Sequence, residues 1–110
     1  MINGLAQKKC VPCEGGVKPL KGETVKKLLS QLETGWKVVH EDHLEREFKF
    51  KNFKDALSFV NKVGAIAEKE QHHPNIELTW GYVKIRLWTH AIGGLSDNDF
   101  ILAAKIDELL

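Results

Sequence analysis

The stretch NFKDALSFVNKVGAIAEKEQHHPN, Asn52 to Asn75, decides how the rest of the chain is read. Phe53, Ala56, Leu57, Val60, Val63, Gly64 and Ala67 recur at the spacing of one helix face, and Phe59 and Ile66 widen it. Asn52 is placed to cap this helix, with Asp55 three residues on as a capping-box variant. Pro74 sets the far limit, because a proline disfavours helical geometry in the residue before it and pushes His73 towards extended backbone. His72 and His73 therefore sit at a helix-to-strand corner, where neighbouring side chains leave in different directions. Gly64 costs about 1 kcal/mol relative to alanine in mid-helix, which predicts close packing against a sheet at that point.

Working outward, a hairpin is expected on each side of this helix. Before it, WKVVH is rich in strand formers, EDH is polar, and LEREFKF alternates strictly. Leu44, Arg46, Phe48 and Phe50 fall on one face, with Glu45, Glu47 and Lys49 on the other. After it, IELTW and YVKIRLWT form a second hairpin turning near Gly81, with Val83, Ile85, Leu87 and Thr89 on one face and His90 at the strand end. A helix is predicted at each end of the chain. Val25, Leu28, Leu29 and Leu32 mark the first, with Gly35 as its stop. Ser96 caps the last, with Asp99 at the capping-box position and Leu102, Ile106 and Leu109 along the inner face. The order is α-β-β-α-β-β-α, an α+β fold in which a four-stranded antiparallel sheet carries three helices on one face. Residues 1–20 lack periodicity and are punctuated by Pro12, Gly15, Gly16 and Pro19, so they are expected to be a poorly anchored, flexible arm before a single domain at 21–110.

Composition narrows the function classes. Sixteen Lys and Arg against 15 Asp and Glu give a formal charge of +1, with no basic cluster that would mark a nucleic-acid surface. No run of about 18 apolar residues suggests a membrane helix. MINGLAQKKC has no apolar signal core, so a cytoplasmic location is the default expectation. Cys10 and Cys13 are expected as reduced thiols in that compartment.

Spacing leaves three readings of the histidine pair open. The first is a polar helix end, where an imidazole meets the helix dipole favourably. The second is a metal site built from Cys10-x-x-Cys13 with His72 and His73. Structural zinc sites space their histidines three to five residues apart, so adjacent histidines are poorly arranged for one ion, and no metal is expected. The third is acid–base chemistry, since histidine titrates nearest to neutrality. Glu68 lies four residues before His72, on the same helical face, where its carboxylate would orient the imidazole or raise its pKa. No Ser-His-Asp order or phosphate-binding glycine loop is present in the sequence.

FKFKNFKDALSFVNKVGAIAE, EKEQHHPNI and THAIGGLSDNDFILAAKID together closely resemble the pterin-4a-carbinolamine dehydratase family, from about Gly22 to the C-terminus. CVPCEGG resembles the N-terminal arm of bacterial members. The resemblance implies a four-stranded antiparallel sheet with three helices, in agreement with the order read above. It implies dehydration of 4a-hydroxytetrahydropterin to the quinonoid dihydropterin, which recycles the cofactor of aromatic amino acid hydroxylases. It further implies a homodimer or homotetramer working without metal or other cofactor. Carried over by position, the active-site histidines fall on His72, His73 and His90, the supporting acids on Glu68 and Asp99, and a tryptophan near the pterin on Trp36. On this pattern His72 acts on the leaving hydroxyl, His90 or a water it holds serves N5, and His73 positions the pterin; the acid and base labels are exchangeable. Two alternatives stay open here: Asp99 as a helix cap, and Trp36 as a core aromatic.

Overall fold

Alternation along the strands fixes the sheet. In this computed structural model, which describes residues 4–11 and 18–110, the strands are β1 (Lys37–Val39), β2 (His43–Lys49), β3 (Asn75–Thr79) and β4 (Tyr82–Leu87). They lie in the order β1-β2-β4-β3 with every neighbouring pair antiparallel. The register pairs Leu44 with Leu87, Phe48 with Val83 and Ile76 with Ile85, so the apolar positions share one face. Leu44, Val83, Ile85 and Leu87 are fully buried there. The other face carries Glu45, Lys84 and Arg86, where Glu45 accepts from Arg86 Nε at 2.9 Å and meets Lys84 Nζ at 3.1 Å.

The helices α1 (Glu23–Leu29), α2 (Phe53–Glu70) and α3 (Asp97–Asp107) complete the expected order, with short 3-10 turns at Gly4–Gln7 and His90–Ile92. The Asn52 side chain caps α2 by accepting from Asp55 N–H at 2.7 Å. Phe59 anchors this helix on the sheet, its ring centroid 4.7 Å from Phe48 and 5.2 Å from Phe50. That anchor rotates the helix relative to the stripe read from sequence. Ala56, Phe59, Val63 and Ala67 are the buried positions, while Phe53 and Leu57 are exposed.

Gly64 is a second departure. A Cβ built on it meets nothing within 4 Å, so the glycine does not mark close packing on the sheet. Its substitution by alanine is therefore expected to raise stability by about 1 kcal/mol, because the helix loses a flexible residue and no clash replaces it. A rise in the urea midpoint at unchanged m-value is the expected reading; a fall would show that the open space is needed.

Two further expectations are corrected. Helix α1 ends at Leu29, short of Gly35, because Ser30, Gln31 and Leu32 turn back on the preceding carbonyls of Lys26, Leu28 and Leu29. Leu32 still packs on the core from this turn. The segment 4–11 is not a loose arm. Leu5 and Ala6 are buried against the core, and Lys105 Nζ donates to Ala6 O at 2.9 Å. Leu5 and Ala6 supply the apolar cover that lets α3 bury nearly its whole circumference, from Asn98 to Ala104 and at Ile106. Among the described residues no helix is long and apolar enough to cross a membrane.

Candidate active site

The corner after α2 is made by Gln71, which takes the left-handed conformation at φ 55° and lets His72 N–H reach back to Ala67 O at 3.2 Å. This ends helical spacing one residue before His72, and it changes the partner expected for Glu68. Glu68 Oε1 lies 2.9 Å from His73 Nε2, in an exposed pair. His72 turns inward instead, with Nε2 2.6 Å from Asp99 Oδ1.

Asp99 is fully buried and divides its carboxylate between two tasks. Oδ2 accepts from Ser96 N–H at 2.9 Å and so caps α3. It also accepts from Thr89 Oγ1 at 3.0 Å, while Thr89 and Ser96 share a hydroxyl–hydroxyl bond of 2.7 Å. Oδ1 faces His72. The two readings of Asp99 therefore coexist, one on each oxygen. An ionised carboxylate only accepts, so the pair places the proton of neutral His72 on Nε2 and leaves Nδ1 to exchange protons. The same carboxylate stabilises the imidazolium when both nitrogens are protonated.

Thr89 extends the apolar face of β4 with a hydroxyl, and it is buried. A buried hydroxyl needs a partner, and a threonine continuing an apolar strand face is the only trace that this network leaves in the sequence. Thr89→Val is expected to cost about 1–3 kcal/mol of stability, since the buried Asp99 carboxylate loses a hydroxyl donor. Thr89→Ser should retain most of it. Equal unfolding midpoints for Thr89→Val and wild type would show that the hydroxyl contributes nothing.

His90 opens the 3-10 turn after β4 and is exposed, its ring centroid 4.6 Å from that of Trp88. Gly94 bonds back to Thr89, with Thr89 N–H on Gly94 O at 2.8 Å, and Gly93 takes the left-handed region at φ 63°. That closure holds the loop carrying His90 beside the α2 corner. His72, His73, His90, Trp88 and Thr89 consequently line one cavity of about 250 Å³. Val11 closes another part of its rim and is tied to α3, with Val11 N–H donating to Asn98 Oδ1 at 2.9 Å.

Trp36 is not in this group. It is 6% exposed, edge-on to Phe48 at 6.2 Å, and its Nε1–H donates to Asp107 Oδ1 at 2.8 Å. Asp107 is the last residue of α3 and Asp99 lies in its first turn, so Trp36 belongs to the core at the opposite end of that helix. Trp88 is the tryptophan of the cavity. Cys10 is held by its backbone, with N–H donating to Glu70 Oε1 at 2.8 Å; Cys13 lies outside the described residues. Among the described residues no three His, Cys, Asp or Glu come together in a group able to hold a metal ion.

Residues 18–109 match the family described as pterin 4 alpha carbinolamine dehydratase. A protein of Alkaliphilus metalliredigens that carries the name "putative pterin-4-alpha-carbinolamine dehydratase" is 57% identical over 107 residues, covering 97% of this chain and 96% of its own. The chain belongs to the pterin carbinolamine dehydratase family. Two solved structures share the fold. The crystal structure of a transcriptional coactivator/pterin dehydratase from Brucella melitensis superposes with a TM-score of 0.78 at 30% identity, over 84% of this chain and 98% of that one. A pterin dehydratase-like protein identified as a RuBisCO assembly factor in the alpha-carboxysome gives a TM-score of 0.60 at 25% identity, over 70% of this chain and 90% of its own. The span matched to the dehydratase family takes in His72, His73, His90, Thr89 and Asp99, whereas Val11 and the turn at Gly4–Gln7 precede it.

Proposed function

We propose that the chain dehydrates 4a-hydroxytetrahydropterin to quinonoid dihydropterin and water, by acid–base catalysis from histidine. The observation that carries this reading is His72, half-buried and held by a buried carboxylate, facing a cavity that it shares with His73 and His90. The C4a hydroxyl leaves as water once protonated, and N5 gives up its proton as the C4a=N5 double bond forms. The elimination is redox-neutral, so one acid and one base suffice. His72 imidazolium, stabilised by Asp99, supplies the proton to the leaving oxygen. His90, or a water that it holds, takes the N5 proton. His73, braced by Glu68, positions the pterin ring. The product returns to the pterin pool that aromatic amino acid hydroxylases draw on, and the working form is a homodimer or homotetramer.

Turnover of enzymatically generated 4a-hydroxytetrahydropterin, followed by absorbance against the spontaneous reaction, tests the proposal. A rate no higher than the spontaneous one would refute it. A second reading rests on the likeness to the RuBisCO assembly factor and the coactivator: a partner-regulating protein that keeps the fold and the cavity. Turnover that disappears with the histidines decides for the enzyme.

A further inference from the structure

The histidine cavity draws its lining from three places. Gln71, His72 and His73 come from the α2 corner, and Trp88 to Ala91 come from the end of β4 and its loop. The third source is Val11 with Asn98. Val11 precedes the span matched to the dehydratase family, and nothing in the proposed chemistry uses it.

A segment this close to a chain end stays ordered only where it is tied down. Three side chains tie this one, and each holds backbone atoms. Lys105 Nζ donates to Ala6 O at 2.9 Å, and Glu70 Oε1 accepts from Cys10 N–H at 2.8 Å. Asn98 grips Val11 at both ends: its Oδ1 accepts from Val11 N–H at 2.9 Å, and its Nδ2 donates to Val11 O. Asn98 and the Glu70 side chain are both buried. A buried amide needs partners for its oxygen and its nitrogen, and the Val11 backbone serves both. Asn98 and Asp99 are neighbours in the first turn of α3. One holds Val11 and the other holds His72, so a single turn sets two parts of the same cavity.

The residue held in this way is 64% exposed. Leu5 and Ala6 already anchor the segment by burial, and that burial gives no reason to fix a valine farther along the chain. Fixing it costs conformational entropy. An exposed apolar side chain offsets none of that cost in the free protein, and it does so once a ligand covers it. The remaining lining offers imidazoles, a hydroxyl and an indole. A planar heteroaromatic ring suits such a site, with polar edges for the imidazoles and an apolar face for the valine.

We propose that the N-terminal segment is part of the substrate site: Val11 is an apolar wall on which the face of the pterin ring packs, and Asn98 is the positioning residue that holds this wall. The identity of the ring rests on the dehydratase reading. Val11 touches the substrate, and Asn98 acts through Val11. A wall of this kind covers substrate and transition state alike, so it lowers KM and leaves kcat unchanged.

The test measures KM, kcat and the pH profile of kcat for 4a-hydroxytetrahydropterin on full-length Val11→Ser, Val11→Ile, Asn98→Ala and the double variant Val11→Ser, Asn98→Ala. Val11→Ser is expected to raise KM about three- to tenfold, the factor for uncovering one or two methyl-sized groups. Its urea midpoint should match wild type, and Val11→Ile should recover most of the loss. Asn98→Ala should raise KM at least as far, with the pH profile of kcat in place. The double variant should be no worse than Asn98→Ala, because the two changes remove one wall. Wild-type KM in Val11→Ser overturns the proposal, and this variant decides even where Asn98→Ala fails to fold. A fall in kcat or a shifted pH profile in Asn98→Ala, or additive effects in the double variant, overturns the positioning role. Calorimetric titration with 6-methyl-7,8-dihydropterin, which has no hydroxyl to lose, separates the two readings. Binding weakened in Val11→Ser without turnover in wild type upholds the wall and refutes the dehydratase. Equal binding by wild type and Val11→Ser, or none by either, refutes the wall whatever the turnover.

Discussion

His72→Ala is expected to slow dehydration of 4a-hydroxytetrahydropterin by about 10²–10⁴ in kcat, the range for removing one member of an acid–base pair. The variant should still fold, because Asp99 keeps Ser96 N–H and Thr89 Oγ1 as donors. Asp99→Asn should lower kcat as well, through His72 rather than by direct contact with the substrate. An amide cannot stabilise an imidazolium as a carboxylate does, and its NH₂ group competes for the proton position on Nε2. The two effects should be far from additive, since they remove one unit: the double variant should be little slower than His72→Ala alone. His73→Ala is expected to act mainly on KM, because His73 is exposed and paired with an exposed Glu68. His90→Ala should fall within the range of His72→Ala. Stopped-flow absorbance under single-turnover conditions, across a range of enzyme concentrations, reads all five. Wild-type rates in both folded His72→Ala and His90→Ala would remove histidine from the chemistry.

The helix-to-strand corner was legible because Pro74 restricts its predecessor, and that restriction acts through local sterics alone. The sheet was legible for the same kind of reason: Leu44, Phe48, Val83, Ile85 and Leu87 alternate with charges, and all are buried on one face. The partner of Glu68 was not legible. Counting four residues along a helix assumes that the helix continues, and the left-handed Gln71 ends it one residue too soon. A glutamine carries no signal for that conformation, whereas a glycine or asparagine would have. Of the two readings open for Trp36, its contacts support the core aromatic, and its bond to Asp107, 71 residues away, is a pairing that no local pattern announces. The anchoring of residues 4–11 was not legible for a related reason. Leu5 and Ala6 have no periodic neighbours, and their burial depends entirely on α3 needing cover.

Arg46→Ala is expected to cost about 3–5 kcal/mol of stability, although it is remote from the histidine cavity. Arg46 sits on the apolar face of β2, opposite Ile85, with its guanidinium 4.7 Å from the centre of the Phe48 ring. Its Nη1 donates to Asp107 Oδ1 at 2.6 Å, and the Asp107 side chain is 5% exposed. Burial pushes the Asp107 carboxyl above the usual carboxylate range, opposed by bonds from Trp36, from Glu33 N–H and from Arg46. Alanine at position 46 removes the one full positive charge from this set and leaves an ionised, largely buried carboxylate without it. The folded-state pKa of Asp107 then rises further. An acid whose folded pKa is raised binds its proton more tightly when folded, so stability is greatest below the unfolded pKa and is lost as pH rises through the folded pKa. The deficit of Arg46→Ala against wild type should therefore be small in acid, where Asp107 is protonated in both, and should grow as pH rises towards neutrality. At neutral pH the thermal midpoint should fall by at least about 10 °C for a chain of this size. Urea unfolding across that pH range reads the trend directly. The double variant Arg46→Met, Asp107→Leu should recover most of the loss, since no buried charge then remains unpaired. A deficit below about 1 kcal/mol that does not change with pH would mean that the pair behaves as an exposed one and that the burial of Asp107 is relieved by solvent.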